Sequence, residues 1–337
     1  MHQPGFPDCH TRLQRIDQAG DPLARLGEAI NWEQFRPLLE QARKKTRKSP
    51  AGAKGYDLIV LFKALILQSL YKLPDQAPEF QIPDRYSFSR FLGLHVASKV
   101  ADATTIWLFR EDLTRAQVVE ELFERFDQFL NEAGFRAQKG QIIDASIVRT
   151  PIPRNSREED LQIKAGEQPL GWSEARKRQK DVDARWRRKN SKSFFGYKNH
   201  ISVDVKHKLI RKFQVTSAEA HDSQVVEELL DETNSSRALW ADSAYRSAER
   251  LVWLKEHGYR EHVQRKGTRA HPLSSWERQG KRTRSRIRSR VEHVFGVMTQ
   301  RAGNLLLRGV GLARAKTRIG LRNLAYNLDR YGTLVLT

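Results

Sequence analysis

The spacing of apolar residues predicts helices over the first part of the chain. A stretch over 56–73 is apolar on nearly every side, which is typical of a helix buried among other helices. Over 118–130 the apolar residues recur at steps of three and four, which predicts an amphipathic helix. Shorter helical patterns cover 84–94 and 102–113. Together they predict an all-helical N-terminal domain over residues 1–138.

After Gly134 the pattern changes to that of strands separated by helices. Residues 141–148 form a short, β-branched, apolar run that predicts a strand. Further strands are predicted at 201–205, 209–216, 237–242 and 261–264, and further helices at 224–230, 248–257, 283–300 and 313–328. Asp222 and Ser223 offer an N-cap to the first of these helices. The order predicts an α/β fold with a mixed sheet and flanking helices over 139–305, followed by a C-terminal helical segment over 306–337.

One segment, residues 151–196, fits neither pattern. It is polar and poor in β-branched residues, so we interpret it as a long basic insertion or surface loop, partly mobile. Nine basic residues against two acids lie within 176–192, and a solvated charge run is one reading of them. A phosphate-contacting surface is favoured, because aromatic residues among the cations supply stacking faces. These aromatic residues are Trp172, Trp186, Phe194 and Phe195.

The charge balance indicates a polyanionic partner. Sixty Lys and Arg against forty Asp and Glu leave a formal charge of +20, which favours nucleic acid first and an anionic membrane surface second. Cys9 is the single cysteine, which excludes a disulfide framework and a cysteine-based zinc module. The N-terminus lacks a secretory signal, and the most apolar run, 58–67, is too short to span a bilayer. We therefore expect a soluble cytoplasmic protein with no membrane partner.

Three acids stand where the hydrophobic pattern predicts apolar residues. Asp144 lies within the first strand, Asp242 closes the fourth, and Glu292 lies beside the apolar stripe of the helix over 283–300. That stripe consists of Ile287, Val291, Val294, Phe295 and Met298. Because an uncompensated buried carboxylate is costly, each acid needs a partner. Taken alone, either aspartate could be a turn or capping residue, and Glu292 could form a local salt bridge with Arg288, one turn earlier.

Three carboxylates without nitrogen or sulfur ligands indicate a hard cation. Oxygen-only sites suit Mg²⁺, with Mn²⁺ as a possible substitute. Two such ions can activate a nucleophile on one side of a phosphodiester and stabilise the leaving oxygen on the other. Metal-dependent phosphoryl transfer on nucleic acid therefore accounts for both the acids in the core and the cations around them.

Several segments resemble the Asp-Asp-Glu type of bacterial insertion-sequence transposase, specifically the family named after insertion sequence five. The resemblance covers nearly the whole chain. In the N-terminal part it is carried by SFSRFLGL (87–94) and DATTIWLFREDL (102–113). In the catalytic part it is carried by IIDASIV (142–148), GYKNHISVD (196–204), TSAEAHDS (216–223), ADSAY (241–245) and RIRSRVEHVFGVM (286–298).

The resemblance implies an RNase H-like catalytic domain. It assigns Asp144, Asp242 and Glu292 as catalytic metal ligands for two Mg²⁺ ions. In a related signature around the glutamate, Arg288 and Glu292 match, whereas Ser285 and Thr299 stand where a tyrosine and a lysine are expected. His221 also matches the family, either as a phosphate contact or as a helix cap. The expected DNA contacts are Arg288, Arg284, Arg286, Arg301, Arg187, Arg188, Lys189, Lys198 and His221.

The implied function is DNA transposition. The protein would bind terminal inverted repeats, cleave phosphodiester bonds at the element's ends and join the 3′-hydroxyls to double-stranded target DNA. The N-terminal helical domain would be a candidate for binding the DNA ends. Bringing two ends together implies a homodimer or a higher synaptic assembly, associated with the nucleoid. Two alternatives stay open at this point: a non-catalytic DNA-binding relative, and a nuclease that does not join strands.

Overall fold

The change of period near Gly134 corresponds to a division of the chain into two compact units. The computed structural model describes residues 6–43, 55–95, 98–169, 171–189, 191–267, 272 and 274–335. One unit comprises residues 1–129 together with 321–337, and the other comprises 130–320. The predicted three-part division at 138/139 and 305/306 stays a prediction.

Helices build the first unit, as the apolar spacing predicts. They are α1 (Phe6–Gln18), α2 (Pro22–Ala29), α3 (Arg36–Ala42), α4 (Leu58–Tyr71), α5 (Ala77–Asp84), α6 (Tyr86–Leu92), α7 (Ala103–Ala116) and most of α8 (Val119–Glu132). The predicted helix over 84–94 is in fact the end of α5 and the whole of α6, because the chain becomes extended at Arg85. In the same unit, Tyr331 packs edge-on against Phe126 and Phe129, with ring centroids 6.1 and 5.3 Å apart.

Helix α4 shows why an apolar run becomes a central helix. Asp57 caps it, since its carboxylate accepts hydrogen bonds from the backbone N–H groups of Ile59 and Val60. Lys72 adopts a left-handed conformation and ends it. Most of its side chains are buried, as expected for a helix with no polar face. In the described parts of the chain, no helix is long and apolar enough to cross a membrane.

A mixed six-stranded sheet forms the centre of the second unit. Its strands are β1 (Gln141–Arg149), β2 (Arg185–Lys189), β3 (Lys192–Asp204), β4 (Ile210–Ser217), β5 (Ala238–Ala241) and β6 (Arg260–Val263). The order is β2-β3-β1-β5-β6, with β4 also paired to β3. Strand β1 is antiparallel to β3 and parallel to β5. The predicted fold class, a mixed α/β sheet with flanking helices after a helical N-terminal region, is confirmed.

Helices lie between and after these strands in the chain, and some of them pack on the sheet. They are α9 (Arg157–Lys164), α10 (Glu174–Gln179), α11 (Val226–Leu229), α12 (Ala248–Glu256), α13 (Ser275–Ala302) and the first part of α14 (Leu312–Leu334). On one face, Ile143 and Ala241 join a core with residues of α11 and α12. Helix α13 packs against β1 and β5 through its buried apolar stripe. Because successive strand residues point to opposite faces, the residue after Ile143 faces α13.

The segment 151–196 is not a surface loop throughout, and its interpretation as a basic insertion stays a prediction. The segment contains α9, α10, β2 and the start of β3. Ser156 and Glu159 form a capping box at the start of α9, a signal that is present in the sequence. Strand β2 has the sequence RWRRK, and so high a density of charge gives no alternating strand pattern from which it could be predicted.

Gly196 lies where the outer partner of β3 changes from β2 to β4. Its φ is +150°, and a Cβ atom there would lie 2.2 Å from the carbonyl oxygen of Val148. The backbones of β1 and β3 therefore approach too closely for any side chain at this position.

Candidate active site

The parallel pairing of β1 with β5 brings Asp144 and Asp242 together. Ile142 pairs with Trp240 and Ile143 with Ala241, so the next residue of β1 and the residue that follows β5 are both aspartates. Strand β5 ends at Ala241, so Asp242 lies at its carboxyl end, where sites in α/β sheets are typically found, whereas Asp144 lies inside β1. The two predicted aspartates are thus neighbours although 97 residues separate them in the chain.

Each aspartate holds itself in place with one oxygen and presents the other. Oδ1 of Asp144 accepts a hydrogen bond from the backbone N–H of Ala145 at 2.8 Å. Oδ1 of Asp242 accepts from the Ala244 N–H at 3.0 Å and from the Ser243 hydroxyl at 2.9 Å. The two Oδ2 atoms instead face one guanidinium nitrogen, Nη2 of Arg288, at 3.2 and 4.0 Å. Asp242 is therefore a capping residue and also part of this cluster.

Helix α13 supplies Arg288 but does not bring Glu292 into the cluster. Arg288 is buried beside the apolar stripe and pairs with Asp144, so the alternative of a local salt bridge with Glu292 is not what the structure contains. Glu292 is exposed, and within the described ranges its carboxylate has no hydrogen-bond or ion-pair partner. Among the residues that the structure describes, no three Asp, Glu, His or Cys side chains are grouped to hold a metal ion.

The two aspartates have pKa values shifted in opposite directions. Burial raises the pKa of Asp144, and the nearby Arg288 charge and the Ala145 N–H only partly oppose this effect. Burial also acts to raise the pKa of Asp242, but hydrogen bonds from Ala244 and Ser243 and the Arg288 charge outweigh it, so the pKa is lowered. Desolvation thus dominates at the first carboxylate, and local donors dominate at the second.

Tyr245 is a site residue that sequence reasoning did not assign. Its side chain is buried, and its hydroxyl has no hydrogen-bond partner in the part of the chain that is described. Burial raises its pKa well above the ordinary value, and the charges of Asp144, Asp222 and Asp242 add to this effect. Its position three residues after Asp242, within the motif ADSAY, is the signal that could have indicated it.

Comparison with known families decides the identity. The transposase DDE domain family matches residues 136–328, more than half of the chain, and a transposase domain family (DUF772) matches residues 10–112. The chain belongs to the DDE transposase family. It is a DNA transposase, a metal-dependent enzyme that cleaves and transfers DNA strands.

A solved structure is also similar to this transposase. It is the cryo-EM structure of the piggyBac transposase synaptic complex with hairpin DNA, at 13% sequence identity and a TM-score of 0.47. The match covers 93% of the present chain and 75% of the other.

Most of the cations predicted to contact DNA lie at the surface of the transposase. Arg286, Arg301, Arg188 and Lys189 are exposed, and Arg284 and Arg187 are partly exposed. Lys189 lies close enough to Asp242 for its charge to lower the pKa of that carboxyl. Strand β2 therefore presents positive charge near the site.

Lys198 and His221 hold the structure near the site together. Lys198 is buried, and its Nζ donates to the Ala220 carbonyl at 2.5 Å and to Asp222 Oδ1 at 2.6 Å. His221 is the N-cap of the short 3₁₀ turn before α11, in place of the predicted Asp222 and Ser223. The structure thus contains the capping alternative for His221.

Two of the four aromatic residues predicted as stacking faces are buried. Trp172 lies over Arg176 and donates to Glu159 Oε1 at 2.7 Å, and Phe195 belongs to the core. Trp186 is exposed. Phe194 is partly exposed and contacts Arg149. The idea of an aromatic surface in this segment is therefore wrong for Trp172 and Phe195, because both rings pack against the protein.

A basic pocket of about 790 Å³ lies along the N-terminal half of α13. It is lined by Gly267, Pro272, Arg278, Lys281, Arg282, Ser285 and Arg286. Ser285 precedes Glu292 by seven residues, which is two helical turns, so both lie on nearly the same side of α13. The pocket and the exposed glutamate thus share one side of the helix.

Asp144 and Asp242 together fit a divalent cation. Two carboxylate oxygens face a common position that accepts a positively charged group, as the guanidinium of Arg288 shows. An all-oxygen donor set matches the ligands that hard cations prefer. This chemistry agrees with the metal dependence of the DDE transposase family.

Proposed function

We propose that this transposase belongs to the family named after insertion sequence five, cleaves DNA at the ends of its element and joins the 3′-hydroxyls to target DNA. It would recognise terminal inverted repeats, with the helical N-terminal region as the candidate reader. The observation that carries the proposal is that Asp144 and Asp242 directly follow a parallel strand pair and face a shared cationic position. Joining two ends requires two active sites, so we infer a homodimer or a higher assembly.

Asp144, Asp242 and Glu292 would hold two Mg²⁺ ions, with Mn²⁺ as a substitute. Glu292 follows Arg288 by one helical turn and has no competing side-chain partner among the described residues, which supports its assignment as the third ligand. When bound, the metal ions would supply charge stabilisation and an activated oxygen nucleophile for phosphodiester cleavage. Asp144 and Asp242 would orient the site, since each already has one oxygen fixed by its own backbone.

The surface cations would hold the DNA backbone along this site. The basic pocket lies on α13, which packs against β1 and β5, and Lys189 of β2 is close enough to Asp242 to lower the pKa of its carboxyl. Arg284 or Arg286, together with Arg301, would contact the DNA end in place of the tyrosine and lysine that the related signature has and this chain lacks. Arg288 would be a further phosphate contact.

The central test replaces Asp242 by asparagine and by cysteine. Asp242→Asn is expected to bind inverted-repeat DNA like the wild type, yet to lose at least about 100-fold in nicking rate with Mg²⁺, because a metal-bound carboxylate is lost. Asp242→Cys is expected to be as inactive with Mg²⁺ and to regain part of its activity with the softer Mn²⁺, because thiolate ligands prefer softer metals. Rates are measured on labelled element ends, and joined products on a target plasmid.

Glu256→Gln serves as the matched control, because Glu256 is an exposed carboxylate of the same unit on α12. It should nick and join like the wild type. Full strand transfer by Asp242→Asn would contradict the assignment of the site. Glu292→Gln should lose as much activity as Asp242→Asn, and unchanged activity would remove Glu292 from the set.

A further inference from the structure

Arg288 occupies the position that the two aspartates share. Its Nη2 lies 3.2 Å from Oδ2 of Asp144 and 4.0 Å from Oδ2 of Asp242. These two oxygens are the ones that the local backbone leaves available, since both Oδ1 atoms are already hydrogen-bonded. The guanidinium therefore contacts the same atoms that would bind a cation.

The fit of Arg288 at this position is incomplete. Charge-assisted N–H···O bonds are typically about 2.7–2.9 Å long, so the contact to Asp144 is long and the contact to Asp242 is an ion pair without a hydrogen bond. Nε of Arg288 is buried and has no hydrogen-bond partner in the described part of the chain. Arginine has five N–H donors in a rigid fork, and this side chain uses few of them. Such a side chain is held weakly enough to be exchanged.

Charge argues against Arg288 and a divalent ion sharing the two oxygens. A guanidinium already neutralises half of the charge of two carboxylates. A dication added within a few ångströms would repel it strongly in a site of low dielectric constant. Arg288 lies at the border between the buried and exposed sides of α13, so a change of rotamer can carry its head group outward.

We propose that Arg288 is a displaceable stand-in for the metal: it pairs with Asp144 and Asp242 in the metal-free enzyme and leaves them when a divalent cation binds. This inference rests on the proposed metal site. It also connects two roles of one residue, because the displaced guanidinium becomes available for a phosphate of the DNA. Metal binding would then be coupled to the release of a DNA-contacting group.

The test measures Mn²⁺ binding to the full chain without DNA, by isothermal titration calorimetry. Arg288→Gln removes the competitor and is expected to bind Mn²⁺ about tenfold more tightly than the wild type. Arg286→Gln removes the same charge from an exposed position of α13 and is expected to change the affinity less than about twofold at 0.15 M salt. Equal or weaker binding by Arg288→Gln overturns the proposal, and so does an equal gain in both variants.

Two further measurements keep the test decisive if Arg288→Gln does not fold. Arg288→Lys retains the charge without the fork and should bind Mn²⁺ more tightly than the wild type but less tightly than the glutamine variant; weaker binding than the wild type overturns the proposal. In the wild type, modification of Arg288 by an arginine-specific dicarbonyl reagent, followed by mass spectrometry, should become faster on adding Mn²⁺. The rate at Arg286 is the internal reference. An unchanged or slower reaction at Arg288 overturns the proposal.

Asp144→Asn distinguishes failure of this inference from failure of the metal site itself. If the aspartates bind the metal, Asp144→Asn should lose Mn²⁺ binding at the concentrations that saturate the wild type. Loss of binding in that variant, with no gain in Arg288→Gln, overturns only the exchange by Arg288. Equal Mn²⁺ binding by Asp144→Asn and the wild type overturns both.

Discussion

Two aspartate–arginine pairs have their aspartates on neighbouring strands, β3 and β1, and they differ in burial and in how fully their hydrogen bonds are made. Asp204, at the end of β3, accepts from the N–H groups of His207 at 2.7 Å and Leu209 at 3.1 Å, and from Arg211 Nε at 3.2 Å. Arg211 in turn donates to the Phe135 carbonyl at 2.6 Å. Asp144 on β1 has one backbone donor and one long contact to Arg288.

The difference indicates that the Asp204–Arg211 pair stabilises a turn, whereas the Asp144–Arg288 pair is arranged for another ligand. A buried charge is stabilising to the native state only when its remaining donors and acceptors are satisfied. The Asp204 pair meets that condition, and the Asp144 pair leaves Arg288 Nε buried without a partner among the described residues. The residue types alone would have classed the two pairs together.

The largest expected effect comes from breaking the satisfied pair. Asp204→Ala should lower the free energy of unfolding by about 3–5 kcal/mol, because it leaves Arg211 buried and unpaired. Asp144→Ala should change it by about 1 kcal/mol or less, because Asp144 is only partly buried and its contact to Arg288 is long, while abolishing Mg²⁺-dependent nicking. Urea denaturation measures both. Replacing both members of the pair by apolar residues, Asp204→Leu with Arg211→Met, should recover part of the stability lost in Asp204→Ala. Equal losses of stability at Asp204 and Asp144 would contradict the distinction.

A third pair, Lys198 with Asp222, tests whether a predicted DNA contact is instead a structural ion pair. The ammonium is buried and fully engaged, so Lys198→Met should destabilise the fold by about 1–3 kcal/mol. The salt dependence of DNA binding should stay as in the wild type. A smaller salt slope without loss of stability would instead show that Lys198 contacts phosphate.

The pH dependence of stability should differ in sign between the two site aspartates. The pKa of Asp144 is raised in the folded state, so its stabilising contribution is present below the ordinary value and is lost as pH rises through the folded value. The pKa of Asp242 is lowered, so its contribution is present above the ordinary value and is lost as pH falls. The stability of Asp144→Asn relative to wild type should therefore increase with pH above about 4, whereas that of Asp242→Asn should decrease with rising pH below about 4. Urea titrations in EDTA between acidic and neutral pH measure both differences, and slopes of the same sign would contradict the assignment.

The smallest effect is expected at the exposed cations of β2. Arg188→Gln should leave the free energy of unfolding within about 0.5 kcal/mol of the wild type, since the residue is exposed. If Arg188 contacts one phosphate, the slope of log affinity against log salt should become shallower by about 0.9. Glu256→Gln is the stability control, and an unchanged slope would exclude Arg188 from the interface.

The sheet and the two aspartates could be predicted because each has a local signal. The runs 141–148 and 237–242 are apolar stretches, each with one acid where none is expected. The parallel pairing of β1 with β5 then brings these two acids close together. The partner of Asp144 could not be found in this way. A contact between Asp144 and Arg288 depends on how α13 packs across the sheet. Local spacing instead favours Glu292, one helical turn away, as the partner of Arg288.

Charge-rich segments give the weakest local signals, because charged residues mask the alternation of a strand and the apolar character expected of buried positions. Lys198 stands in the buried part of β3, and its contacts with Asp222 and the Ala220 carbonyl explain why a lysine is tolerated there. Trp172 and Phe195 look like stacking faces among cations, yet both pack into the protein. In each case the deciding information is a contact between residues distant in the chain.

Gly196 is the first residue of the motif GYKNHISVD, and its backbone geometry predicts that glycine is required there for folding. The backbones of β1 and β3 leave no volume for a Cβ, four residues along β1 from Asp144. Relatives that changed their metal chemistry or their DNA specificity would still need glycine here, because the constraint comes from chain-to-chain distance and not from the reaction. In a saturation mutagenesis survey, position 196 should therefore tolerate no other residue even under selection for folding alone, whereas Asp242 should accept asparagine under that selection.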